Sequence, residues 1–252
     1  FERYITACEA LSFPSGYPEF GTDGAADLVL AEGWRFIHGG DTCDKGGVVG
    51  GSIRVVNTLV KLKRKYPNRV VLLLGNRDLN KLRLSSELDV TSKYYARELV
   101  EGARWLPKEK RVTPEIFLRR TLAHTLHCTP AEVPDEAVDA ADTLPNRIRW
   151  MYKETMGAEG EFERQWAEQA LLRQVDKESL SESEVARAIY RSVLPGGGLR
   201  ELLSLGQLAF VHMDTLFVHG GLVGGPWEGS ATGVDCLGYV PGQTERVADV
   251  RH

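Results

Sequence analysis

Apolar residues at Phe1, Tyr4, Ile5 and Cys8 share one face at helical spacing, so the chain opens on a helix. The stretch from Pro14 to Gly24 is dense in turn formers and reads as a loop. Trp34 to His38 is a short apolar run of strand length, predicted buried, that ends in Gly39-Gly40-Asp41. From Ser52 to Tyr66 the residues Ile53, Val56, Leu59, Val60 and Leu62 recur with helical period, and Pro67-Asn68 stops the pattern. Arg69 to Leu74 is an unbroken apolar run leading into Gly75-Asn76-Arg77-Asp78. Strand, helix, strand with continuous apolar strands predicts a parallel pair covered on both faces, hence an α/β fold. The ends of parallel strands are where such sheets hold ligands, and both polar clusters fall there.

From about 79 to 205 the pattern is helical. Thr113-Pro114 is a cap with proline in the first turn, and Phe162, Trp166 and Ala170 form an apolar stripe. Ser181 and Glu184 make a capping box, and Pro195 to Gly198 closes the stretch. This segment carries no catalytic motif and is expected to be an insertion that packs on the core or covers its mouth. Gln207 to His212 and Thr215 to His219 then read as two apolar strands of a hairpin turning at Met213-Asp214. The second strand runs into Gly220-Gly221, and the glycine-rich tail reads as loop.

No apolar run approaches the roughly 20 residues that span a bilayer, so no membrane partner is expected, and no secretory leader is legible. A net charge of -4 argues against a whole-surface affinity for nucleic acid. Cys8, Cys43, Cys128 and Cys236 lack the spacing of a zinc site or disulfide framework, and a cytoplasmic setting is the expectation. The first helix begins at once and His252 ends the chain without a stop signal, so both ends read as trimmed.

Three polar clusters follow apolar strands: Gly40-Asp41-Thr42-Cys43-Asp44-Lys45-Gly46, Gly75-Asn76-Arg77-Asp78 and His219-Gly220-Gly221. Carboxylates, an amide oxygen and an imidazole at neighbouring strand ends are a donor set for Mn, Fe or Zn, whereas an all-oxygen set would point to Mg or Ca. His38, His124, His127 and His212 read as structural, and Cys43 as a small filler.

These clusters resemble, in order and context, the GDxxDRG, GNHE and HGG motifs of the phosphoprotein (Ser/Thr) phosphatase branch of the calcineurin-like metallophosphoesterases. The resemblance covers about 34–78 and 207–222 and leaves the helical stretch between them unexplained. It implies one catalytic domain over 1–252, a sandwich of two mixed sheets flanked by helices, with the insertion at about 79–205. It also implies two divalent or trivalent metal ions (Mn, Fe or Zn). Asp41 would bridge the ions, and Asn76 and His219 would complete part of the second ion's shell. Lys45 stands where the family has a phosphate-binding arginine and keeps its charge without its fork. Asp44 would orient the residue at position 77, which in the family is a histidine thought to protonate the leaving group. Arg77 holds its proton too tightly for that, so it is expected to clamp phosphate and pair with Asp44.

Two family motifs are absent from the sequence. A DxH motif on a first strand is expected to lie upstream of Phe1, and of the closing Gly-His only His252, without the glycine, is present. The function implied is hydrolysis of a phosphomonoester, in a phosphorylated protein first and in a small phosphoester second. A nucleotide or dinucleoside polyphosphate hydrolase is the alternative enzyme. A catalytically impaired scaffold of the same fold is the rival from another class.

Overall fold

The structure, a computed structural model, describes residues 1–44, 46–47, 49–92, 95–220, 222–223 and 236–237, with Glu98 and the last two pairs described by their backbone alone. The chain opens on α1 (Glu2–Ala7), which buries Ile5. β1 (Leu11–Ser12) and β2 (Val29–Leu30) then pair antiparallel around the turn-rich loop. Strands of two residues leave no periodicity to read, and the sequence pattern passes over them.

β3 (Phe36–His38) and β4 (Val70–Leu72) pair in parallel, with Phe36 opposite Val70 and His38 opposite Leu72. The crossover between them is α2 (Ser52–Lys65), which buries Val56, Leu59, Val60 and Leu62 and packs on β4. This is the predicted strand, helix, strand unit, and it directs both polar loops to one edge. The first strand starts later than its apolar run suggests: Trp34 is 49% exposed, and burial begins at Phe36.

Beyond β4 the chain is helical, as expected. It forms α3 (Asn76–Asn80), α4 (Leu82–Glu87), α5 (Pro114–Leu126), α6 (Asp135–Ala141), α7 (Leu144–Trp150), α8 (Glu161–Arg173), α9 (Glu182–Ser192) and α10 (Gly198–Leu205). Thr113 Oγ1 accepts from the Ile116 N–H, and Ser181 with Glu184 closes its capping box. On α8 the rings of Phe162 and Trp166 meet edge to face at 6.2 Å, and Ala170 is buried. The Pro195 turn interrupts the helices without ending them, since α10 follows and packs along α2.

These helices share the core of the strand, helix, strand unit. Ile148, Trp150, Tyr152, Phe162, Val185, Ile189 and Leu202 belong to the same buried cluster as Ile5, Phe36, Leu59, Val70 and Leu72. Leu118, Ala123, Val133 and Val138 of the α5–α6 region form a smaller cluster beside it.

β5 (Ala209–His212) and β6 (Thr215–Val218) make the predicted antiparallel hairpin around Met213-Asp214. Gln207 joins it to the end of β4: its N–H donates to the Leu72 carbonyl (2.9 Å), and its carbonyl accepts from the Leu74 N–H (3.0 Å). Although apolar, the hairpin is only partly buried. Leu208, Val211, Met213 and Leu216 are exposed, because among the described elements each strand packs extensively only on the other. β7 (Leu222–Val223) and β8 (Cys236–Leu237) add one more antiparallel pair.

The fold is thus mixed α/β with helix predominating, and each described sheet has two strands. Among the described residues no helix is long and apolar enough to cross a membrane.

Candidate metal centre

The loop after β3 is built from backbone that side chains rarely adopt. Asp41 and Asp44 take φ of 54° and 73°, beside Gly40 at 91°. Left-handed backbone costs a residue with a Cβ about 1–2 kcal/mol, so two aspartates in one short loop need outside support. Asp78 supplies much of it. Its carboxylate is wholly buried, and Oδ1 accepts from the N–H groups of Thr42 (2.8 Å) and Cys43 (3.3 Å). Oδ2 accepts from Gly75 N–H at 2.9 Å, so one side chain ties the loop after β3 to the loop after β4.

At the same edge the three polar clusters meet. A Cβ added to Gly40 would come within 2.7 Å of both Gly75 N and His219 Nδ1, so only glycine allows this approach. His219 Nδ1 lies 2.8 Å from the Gly39 carbonyl oxygen. That oxygen can only accept, so the ring donates from Nδ1. In the neutral ring Nε2 then carries a lone pair, and it faces Asp41 Oδ1 at 3.2 Å. Two lone pairs so directed repel unless a cation lies between them, a proton on Nε2 or a metal ion bonded to both. Bonds of about 2.0–2.2 Å from one ion to an imidazole nitrogen and a carboxylate oxygen place those atoms roughly 3.0–3.4 Å apart. The observed separation fits.

Asn76 opens α3 with an exposed side chain that makes no hydrogen bond to a described residue, so its amide oxygen is free to serve as a ligand. Its neighbours hold the backbone close to Asp41: the Arg77 N–H donates to Asp41 Oδ1 at 3.1 Å. An imidazole, a carboxylate and an amide oxygen suit Mn, Fe or Zn. Among the described residues no three His, Cys, Asp or Glu side chains gather closely enough to hold an ion by themselves. An ion held here would need the Asn76 amide and further donors to complete its shell.

The charged side chains around this pair are themselves partnered. Arg77 Nε lies 3.4 Å from Asp41 Oδ2, and its Nη1 lies 3.6 Å from Asp44 Oδ2. The Asp44 side chain is fully buried, and its Oδ2 accepts from Lys81 Nζ at 2.8 Å. Its Oδ1 is buried with no hydrogen-bond partner among the described residues, an orphan that a native site normally fills with a water or an ion. The Asp44 N–H donates to Ser52 Oγ (3.1 Å), which donates to the buried Glu161 Oε1 of α8 (2.6 Å). Lys45, Gly221 and His252 lie outside the described residues.

Of the other residues expected to be structural, His38 and Cys43 pack at the loop after β3, and His124, His127 and His212 are exposed elsewhere. His38 Nε2 lies 2.9 Å from Thr42 Oγ1. Burial lowers its pKa, against the pull of the Asp78 and Asp41 charges. Burial pushes the Cys43 thiol well up, which makes it inert. His127 ends α5 in a left-handed cap, and His212 stacks on Phe210.

The sequence pattern singled out Asp41, Asp44, Lys45, Asn76, Arg77 and His219. The structure sets Asp41 against Arg77 and His219, places Arg77 Nη1 3.6 Å from Asp44 Oδ2 with Asn76 next to Arg77 in α3, and leaves Lys45 outside the described residues. The pattern missed Lys81, Asp78 and Glu161. Lys81 lies one helical turn past Arg77, a spacing that could have marked it. Asp78 stands third in its helix, where a carboxylate caps. Nothing in the local sequence announces Glu161 as a partner of the metal loop.

The chain matches no family model, no curated protein and no solved structure.

Proposed function

We propose that this chain is a metal-dependent phosphoester hydrolase of the calcineurin-like kind, with Asp41, Asn76 and His219 as metal ligands. One observation carries the reading: His219, its Nδ1 proton committed to Gly39, presents Nε2 to Asp41 Oδ1 at 3.2 Å. The two left-handed aspartates and the orphaned Asp44 Oδ1 support it, since strain and unpaired buried groups gather where function requires them. The bridge from Gln207 to β4 supports the finer fold, in which hairpin and parallel pair belong to one layer of a two-sheet sandwich.

When bound, two ions of the Mn, Fe or Zn type acidify a water and polarise the phosphoryl group. The chain's own residues do the rest. Asp41 contributes the anionic oxygens, and His219 is held in one tautomer by Gly39. Arg77 presents a guanidinium beside Asp41, where it binds phosphoryl oxygens, and Lys45, next to Asp44 in the sequence, is the second candidate cation. The Arg77 guanidinium keeps its proton, so the departing alkoxide takes its proton from solvent or another side chain. Activated aryl phosphates are therefore turned over much faster than alkyl phosphates.

Phosphoserine or phosphothreonine in a protein is the first choice of substrate, with nucleotides and dinucleoside polyphosphates second. Phosphopeptides and nucleotides offered side by side discriminate between them. The expected result with full-length protein supplied with Mn, Fe or Zn is turnover of p-nitrophenyl phosphate that Asp41→Asn lowers by about 100-fold or more. No turnover with any of these metals sinks the reading.

A second reading is favoured by the Arg77 guanidinium, which lies 3.4 Å from Asp41 Oδ2 and balances that carboxylate from within the chain. A scaffold that keeps the fold and binds no metal would look the same at this contact, and metal content separates the two.

A further inference from the structure

Lys81 carries a charge where charge is unfavourable. Its side chain is 1% exposed and that of its partner Asp44 is 0% exposed. Nζ donates to Asp44 Oδ2 (2.8 Å) and to the Arg77 carbonyl (3.3 Å), and it lies 5.3 Å from the centre of the Tyr152 ring. A buried ion pair adds little net stability over a well-packed apolar pair of the same volume, so stability alone gives weak reason for Lys81.

Among the described residues Asp44 has two cations within reach, and the distances rank them. Lys81 is at hydrogen-bond distance, whereas Arg77 Nη1, at 3.6 Å, is beyond it. Lys81 approaches from the buried side. Arg77 lies toward the site with its side chain 18% exposed, and its contacts to Asp41 (3.4 Å) and the Gly157 carbonyl (3.4 Å) are long. Most of its five donors are unspent. The far side of Asp44 is held as well, by Ser52 on its N–H and Glu161 behind Ser52.

We propose that Lys81 is a positioning residue that neutralises Asp44 from the protein interior and so keeps Arg77 free to bind phosphoryl oxygens. Without Lys81, a buried and uncompensated Asp44 draws the guanidinium inward and the phosphate site loses its cation. The nature of the anion rests on the hydrolase reading above. The dependence of Arg77 on Lys81 rests on the distances alone.

The test is calorimetric titration of inorganic phosphate into the full-length protein with Mn2+ supplied. Lys81→Met should weaken phosphate binding about 10- to 100-fold, the range lost with one charge-assisted contact. Arg77→Met should lose a similar amount, and adding Lys81→Met to it should change little, because both remove the same interaction. The decisive variant is Asp44→Asn with Lys81→Met, which removes both buried charges and guards against misfolding. It should recover much of the phosphate binding that Lys81→Met alone loses, since Asp44 then no longer draws on Arg77. A role in packing alone would instead make the losses add.

Phosphate binding by Lys81→Met equal to wild type overturns the proposal, as does a double variant no better than the single one. Turnover of p-nitrophenyl phosphate by the same samples keeps the two readings apart. The expected binding pattern without turnover refutes hydrolysis and upholds Lys81. A wild type that binds no phosphate refutes both.

Discussion

His38 shows how a single side chain next to the site couples pH to folding. Its ring lies against Thr42, and burial lowers its pKa below the ordinary 6.5. Between 6.5 and the folded pKa the unfolded chain binds more protons than the folded one. The contribution of His38 to stability is therefore complete above 6.5 and lost as pH falls through that window. Urea unfolding about one unit above and one unit below 6.5 should show a drop in stability that is smaller in His38→Asn. An equal drop in the variant contradicts the assignment. At this scale the sequence was legible where a polar residue follows an apolar strand, which is how Asp41, Asn76 and His219 stand out. Lys81 and Asp78 were not, because each acts on a loop more than 30 residues away in sequence: 37 for Lys81 on Asp44, and 36 for Asp78 on Thr42.

The crossover helix α2 depends on an element far from it in the chain. Its N-cap is Gly51, which has no side chain to accept a hydrogen bond. Glu168 of α8 accepts instead, from the N–H groups of Ile53 (3.1 Å) and Arg54 (3.0 Å) and from Arg54 Nε (3.1 Å). An anion at this end also complements the helix dipole. Glu168→Gln should cost about 1–2 kcal/mol, in the range of a weakened cap. Glu168→Ala, which strands two part-buried amides, should cost about 2–4 kcal/mol by denaturant unfolding. A loss below about 0.5 kcal/mol for Glu168→Ala would rule out the cap. The periodic core face of α2 was plain in the sequence, as were the capping box of α9 and the β5–β6 hairpin. The cap of α2 was not, since its carboxylate arrives from 114 residues away. The exposure of the hairpin was equally hidden: apolar alternation marks a strand, and neighbours decide whether it is covered.

For the whole molecule the point of interest is that the helical region and the site share one core. Helices α7 to α10 bury side chains in the same cluster as β3, β4 and α2, and Glu161 and Glu168 reach from α8 into the metal loop and the α2 terminus. The helical region is thus structurally continuous with the strand, helix, strand unit that carries the candidate site. Heat or urea should unfold the described core in one cooperative transition, with tryptophan fluorescence and far-UV circular dichroism coinciding. Two separated transitions would contradict a shared core. Amide exchange should open the α5–α6 region first, because its small cluster of Leu118, Ala123, Val133 and Val138 is the less extensive of the two. The account as a whole stands on a cation shared by Asp41 and His219. Elemental analysis of full-length protein, dialysed after exposure to Mn2+ or Zn2+, reads that cation directly. The account predicts bound metal in the wild type and its loss in both Asp41→Asn and His219→Asn. Metal retained at the wild-type level by both variants, or absent from the wild type, would contradict it.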